Sequence, residues 1–186
     1  MAYLRRVQLC LQLALLMPLL GWSLSARAQT APPRTSFCTS SENVVFACRT
    51  GAKMVSVCAS KDAGPGRGYL QYRFGKPDSA DPVELTLPEA KAPPTKAANG
   101  GSESYSGGGG AWLRFSKGNV AYTVYSGIGN WGPKGEKRIK EGLLVERGGK
   151  QVANLACTGK LESELGPDWF EKMGVERGDQ EFFFPD

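Results

Sequence analysis

Histidine is missing from all 186 residues. That absence removes Ser-His-Asp and Cys-His nucleophilic catalysis, together with the commonest zinc ligand. Cysteine is sparse, five in all. No pair is spaced Cys-x-x-Cys, so the usual thiolate clip for a metal and the dithiol redox motif are missing too. After residue 28 no apolar run approaches the roughly 20 residues that a membrane-spanning helix needs. A strong charge of either sign is also lacking once the first 28 residues are set apart. They hold Arg5, Arg6 and Arg27 and no acid, leaving 20 Lys and Arg against 18 Asp and Glu, a net +2 rather than +5. The high isoelectric point therefore gives no reason to invoke nucleic acid.

What the first 28 residues do contain is the pattern of an export signal. Arg5 and Arg6 make a positive start, residues 9–20 are apolar except for Gln12, and Ala26-Arg27-Ala28 places small residues where a signal peptidase reads. Cys10 lies inside the apolar run, without the small residues that precede a lipidated cysteine. The expectation is cleavage after Ala28 and a periplasmic or secreted protein with no membrane span after cleavage. The remaining chain is long enough for one domain with a core of useful size.

In an oxidising compartment the even set Cys38, Cys48, Cys58 and Cys157 reads as two disulfides. A metal site of four thiolates is the rival reading, and it lacks the usual spacing. Residues 43–49 and 54–60 are β-rich runs on either side of Thr50-Gly51-Ala52-Lys53, a good hairpin loop. In that register Cys48 faces Val55 and Cys58 faces Val45. Cys48 and Cys58 then stand three positions apart on opposite faces, too far for a bridge. Cys38 enters near the end of the hairpin that holds Cys58. The pairing expected is Cys38–Cys58 and Cys48–Cys157, the second closing a loop worth roughly 4–5 kcal/mol of chain entropy.

Eight runs have strand character: residues 43–49, 54–60, 69–74, 83–87, 111–115, 120–126, 142–147 and 151–157. Several alternate, with Leu70, Tyr72 and Phe74 on one face and Ala111, Leu113 and Phe115 on another. Glycine-rich turns separate them. The fold expected is mainly β, a small antiparallel eight-stranded barrel or sandwich over residues 43–159, after an N-terminal segment at 29–42. Residues 88–110, rich in Pro, Ala, Lys, Gly and Ser, read as a flexible loop. In residues 160–186, Pro167 at a first helical position and Gly174 as a stop suggest a short helix through Met173. Phe182, Phe183 and Phe184 form either a docked last strand or an exposed apolar patch.

Few motifs suggest chemistry. Gly127-Ile128-Gly129-Asn130-Trp131-Gly132 spells G-x-G-x-x-G, but Pro133-Lys134-Gly135 follows and no apolar helical face appears, so the dinucleotide reading fails. The run Gly107-Gly108-Gly109-Gly110 lacks the Gly-Lys-Ser/Thr ending of a phosphate loop and fits a close backbone approach. Glu162, Glu164, Asp168 and Glu171 sit beside a helix start, where solvation and the helix dipole account for them. The aromatic residues Tyr105, Tyr125 and Trp131, in or beside glycine-rich loops, are the best candidates for anchoring a partner. The plainer account of Tyr125 and Trp131 is that they cover the mouth of a barrel.

Two resemblances add to this. Gly107-Gly108-Gly109-Gly110, Leu113-Arg114-Phe115, Val124-Tyr125-Ser126-Gly127-Ile128-Gly129 and Ser163-Glu164-Leu165-Gly166-Pro167-Asp168 resemble a family of uncharacterised exported proteobacterial proteins, which brings no activity with it. More remotely, the chain is similar to the membrane-bound or periplasmic inhibitors of C-type lysozyme. Phe46-Ala47-Cys48, Leu155-Ala156-Cys157 and the turn Phe115-Ser116-Lys117-Gly118-Asn119 carry that resemblance, over residues 44–58 and 100–158. It implies a loop inserted into a lysozyme cleft. Ser104-Tyr105-Ser106-Gly107 stands near that place, with Tyr and Ser-Gly in reversed order and Asn119 where the family has an acid.

The function expected is a binding module, not an enzyme, with no cofactor and with a C-type lysozyme or another envelope protein as partner. Tyr105 and Ser106 would enter the partner's cleft and Lys117 would meet a carboxylate there, with Tyr125 and Trp131 beside them. The alternative is a structural or envelope-maintenance protein that docks through its phenylalanines. Protein recovered from a periplasmic extract is expected to begin at Gln29 by intact mass, and material still carrying Met1 would overturn the export reading.

Overall fold

The turn at Gly51, whose φ of +68° suits a residue without a side chain, closes a hairpin. In the computed structural model, which describes residues 33–179 and 181–185, it joins β1 (Glu42–Thr50) to β2 (Lys53–Ser60). The export signal and its cleavage point lie outside the described residues. Cys48 faces Val55, as the hairpin register implies, but a bulge between Val44 and Phe46 places Val44, not Val45, opposite Cys58. The extra residue shifts the side chains by one position beyond that point.

Two five-stranded antiparallel sheets follow from this start. The first has the order β10-β1-β2-β3-β4, with β3 at Leu70–Gly75, β4 at Val83–Ala92 and β10 at Thr158–Ser163. The second runs β5 to β9 in sequence order: Asn99–Tyr105, Gly108–Lys117, Val120–Gly129, Arg138–Arg147 and Lys150–Ala156. Strands β4 and β10 edge one sheet, β5 and β9 the other, so among the described residues no ladder closes the two into a ring. The chain passes between sheets through the one-turn helix α1 (Pro94–Ala97) and again at Cys157, the single residue between β9 and β10.

Residues 88–110 are therefore not a flexible loop. They complete β4, form α1 and supply β5 and the start of β6. Pro88 is tolerated because β4 is an edge strand, where a missing N–H need break no ladder bond. Pro94 occupies the first helical position of α1. Gly100 must stay small, since a Cβ there would lie 2.9 Å from the Phe170 ring. The ten strands exceed the eight expected by β5 and β10, and β10 lies where a tail was expected. Helix α2 spans Pro167–Met173 and ends on Gly174 at φ +66°, the cap geometry that its sequence suggests.

One hydrophobic cluster draws on both sheets and on α2: Val55, Val57, Leu70 and Tyr72 from the first, Leu113, Phe115 and Val124 from the second, with Phe170 and Met173. Tyr72 packs its ring 5.6 Å from both Phe115 and Tyr122. Cys48 and Cys157 join within this region with their Cα atoms 5.6 Å apart, tying the crossing at Cys157 to β1. Their separation of 109 residues gives the larger loop-closure effect of the two bridges.

The opposite face of the first sheet is covered by residues 33–39. Cys38 bonds Cys58 at a Cα distance of 5.4 Å, Phe37 N–H donates to Ser56 Oγ, and Arg73 Nη1 donates to the Phe37 carbonyl. Beside them is a buried ion pair. Arg73 Nη2 donates to Glu42 Oε1 at 2.6 Å and to Gln71 Oε1, while Tyr69 Oη and Thr39 N–H also donate to the Glu42 carboxylate. Burial alone would raise the Glu42 pKa. The hydrogen bonds from Arg73, Thr39 and Tyr69, with the Arg73 charge, outweigh it and hold the carboxyl at about 2.

Because that value lies below the ordinary 4.5, the pair stabilises the fold above about pH 5, and the contribution is lost as pH falls towards 2. With the Glu42 side chain 1 % exposed, the contribution is on the order of 3 kcal/mol. Glu42→Gln is expected to lower stability at pH 7 and to flatten the acid limb of a pH–denaturation series. An unchanged acid limb would place the acid sensitivity elsewhere.

Candidate functional site

Glycine decides the character of one end of the second sheet. Gly108, Gly109 and Gly110 open β6, and Gly127 and Gly129 close β7, with Gly110 opposite Gly127 and Gly109 opposite Ile128. Strand alternation puts Gly110 on the same face as Trp112, away from the shared core. A Cβ on Gly110 would collide with the Phe184 ring. One on Gly127 would come within 2.7 Å of that ring, and one on Gly129 within 2.7 Å of Trp131. The glycine pattern that spells G-x-G-x-x-G is thus a floor for the protein's own aromatic rings.

Those rings form a chain. Trp131 lies 5.2 Å from Phe184 and 6.0 Å from Tyr105, with Lys140 Nζ 5.0 Å from its ring centre. Tyr105 is half-buried at the end of β5 and donates its hydroxyl to the Ile128 carbonyl at 3.3 Å. Burial, and then the Glu103 charge, raise its pKa. Ser106 and Gly107 make the two-residue turn into β6, with Ser106 exposed and Gly107 at φ +91°. Lys137 donates to the Gly107 carbonyl at 2.6 Å. The loop after β7 therefore lies against the turn before β6.

On the core-facing side of the same end, an open groove of about 440 Å³ is lined by Ser102, Ser104, Gly109, Ser126, Ile128 and Ile139, among others. Glu141 borders it, 3.5 Å from the Ser126 hydroxyl, and Leu165 to Pro167 bound it opposite. Ile128 and Ile139 face each other across β7 and β8 and are 41 % and 65 % exposed. Neither stood out in the sequence, because Lys137-Arg138-Ile139-Lys140-Glu141 conceals the first half of β8. The alternation of Ile139, Glu141 and Leu143 was the available signal. Among the described residues, no three His, Cys, Asp or Glu side chains are grouped to hold a metal.

The sequence-derived residues divide accordingly. Tyr105, Ser106 and Trp131 meet at this end. Tyr125 does not: it is 2 % exposed, donates its hydroxyl to Asn154 Oδ1 at 2.6 Å and packs against Phe182 and Phe184. Burial raises its pKa to about 12, against the opposing effect of the Asn154 hydrogen bond. It covers no mouth, because Phe182 covers it. Lys117 stands at the far end of β6. Ten residues at ~3.3 Å each put the two ends of that strand about 30 Å apart. Its ammonium is bonded to Glu89 at 2.6 Å, and that hydrogen bond and charge raise the Lys117 pKa and lower that of Glu89. Tyr105 and Lys117 therefore stand at opposite ends of the second sheet.

Comparison with protein-family models, curated proteins and solved structures gives no match for the chain. The site is read from its own geometry.

Tyr125→Phe is expected to lower unfolding free energy by about 1 kcal/mol through loss of the Asn154 bond. Tyr125→Ala should cost about 3–5 kcal/mol through loss of its ring packing. Lys117→Ala should leave the thermal midpoint unchanged, since its ion pair is exposed. Urea and thermal unfolding measure all three, and a large loss for Lys117→Ala would contradict the placement.

Proposed function

We propose that this chain is an exported binding module that offers the β5–β6 turn, with Tyr105 and Ser106 at its tip, to the cleft of a partner protein. A C-type lysozyme is the partner to test first. The observation that carries this reading is the meeting of Tyr105, Ser106, Trp131 and a basic loop at one end of the second sheet. Tyr105 is held on one side by Trp131 and on the other by its bond to the Ile128 carbonyl, so little side-chain freedom is left to lose on binding.

Beside it the segment from Trp131 to Lys140 holds Lys134, Lys137, Arg138 and Lys140 against the single acid Glu136. A cleft lined with carboxylates would meet those charges. Lys137, bonded to the carbonyl of the turn, takes the role that the sequence suggested for Lys117. The reading needs neither catalysis nor a cofactor, and it keeps the two sheets as a rigid mount for the turn, in the manner of a small opened barrel.

The test is inhibition of C-, G- and I-type lysozymes by purified protein. Tyr105→Ala with Ser106→Ala is expected to weaken inhibition about tenfold or more, since a buried aromatic anchor contributes roughly 2 kcal/mol. Lys137→Ala should weaken it further and reduce its salt dependence, while Lys117→Ala should do neither. No inhibition of any class at micromolar concentration would overturn the proposal and favour a structural role in the envelope.

A further inference from the structure

The last described residues lie on the outer face of the second sheet and alternate as they cross it. Phe182 is 4 % exposed, Phe183 is 77 % exposed, Phe184 is half-buried and Pro185 is buried. Phe182 sits 5.5 Å from Trp112 and 5.9 Å from Tyr125, and Phe184 fills the space over Gly110 and Gly127. The face is shaped for this segment, since any side chain on those two glycines would displace the ring. It is a socket for an extended Phe-x-Phe-Pro peptide, seen here with one occupant.

How that occupant is held matters. Among the described residues no hydrogen bond joins 181–185 to the sheet, and the Trp112 Nε1 in the same cluster has no hydrogen-bond partner. Ring packing anchors Phe182 and Phe184. Just upstream, the Glu176 carbonyl accepts from Gly100 N–H, and Arg177 reaches the Ser102 carbonyl and Glu103. Gly178 follows at φ +72°, and Gly178, Asp179 and Glu181 are exposed. The segment covering the first sheet is different, because the Cys38–Cys58 bond fixes it covalently. One terminal strap is held covalently and the other through its aromatic rings.

We propose that this socket also accepts the Phe182–Pro185 segment of a second copy, so that two copies exchange tails reciprocally. Every contact that holds the tail within one copy is reproduced between copies, because none depends on the connection to the same chain. Exchange then opposes only the tether, which gives the tail of the same copy an effective concentration in the millimolar range. The closed single copy dominates in dilute solution, and the exchanged pair grows with concentration.

Two complementary full-length variants test this without the tether. In Gly127→Val the nearest atoms to the new Cβ belong to the Phe184 and Trp131 rings, so the socket is blocked and the tail is released. In Phe182→Ala with Phe184→Ala the socket is empty and the tail is inert. Mixed at high micromolar concentration, the two should give a one-to-one complex of twice the single-chain mass by light scattering, and each alone should stay single. A mixture of single chains, with both variants retaining the parent circular dichroism, overturns the proposal. Should either variant fail to fold, the parent chain decides: its mass must climb towards twice the single-chain value as concentration rises to millimolar, and a constant mass overturns the exchange.

Discussion

The bond between Cys48 and Cys157 is the constraint on which the rest of this structure depends. Only Cys157 separates β9 of one sheet from β10 of the other, and the bridge fastens that residue to β1 beside the shared core. Strand β10 then pairs with β1 on one side while β2 pairs on the other. The crossing at Cys157 thus fixes how the second sheet enters and how the first is completed. Loop-closure entropy makes such a long-range bridge effective, because the open chain loses more conformations when distant residues are joined.

Both sheets turn one face to that core and need a cover for the other. The first is covered by residues 33–39, held through Cys38, Ser56 and Arg73, and the second by Phe182 and Phe184. The second cover also explains a polar arrangement beneath it. Arg114 is buried on that face, with its guanidinium 5.5 Å from the Trp112 ring, donating to Thr123 Oγ1 and to Glu146. A buried guanidinium is tolerable because the carboxylate and hydroxyl satisfy it. Glycine and aromatic positions are matched across this face, which makes the cover specific to rings.

At one end of the second sheet the exposed turn, the isoleucine pair and the basic loop come together. That end combines two exposed isoleucines with a loop of four basic residues and one acid, with Glu103 and Glu141 standing beside it. The opposite end of the same sheet, with Lys117 paired to Glu89, has no such character.

The sequence by itself determined the local features: the β1–β2 turn, both cysteine pairings, and helix α2 between its proline and its glycine. The turn, the helix and the Cys38–Cys58 pairing depend on residues close along the chain, where periodicity, turn chemistry and capping act directly. Even the second disulfide followed from a local argument, because the hairpin register removes Cys58 as a partner for Cys48. Tertiary structure decided what distant segments cover. Residues 88–110 look loop-like until β6 supplies the partner that makes 99–105 a strand. Tyr105 and Tyr125 are indistinguishable in composition, yet one stands at an open end and the other lies under Phe182. A residue's role at a surface depends on what lies over it, and here the cover comes from Phe182 and Phe184, whose pattern allowed docking without naming the face they would cover.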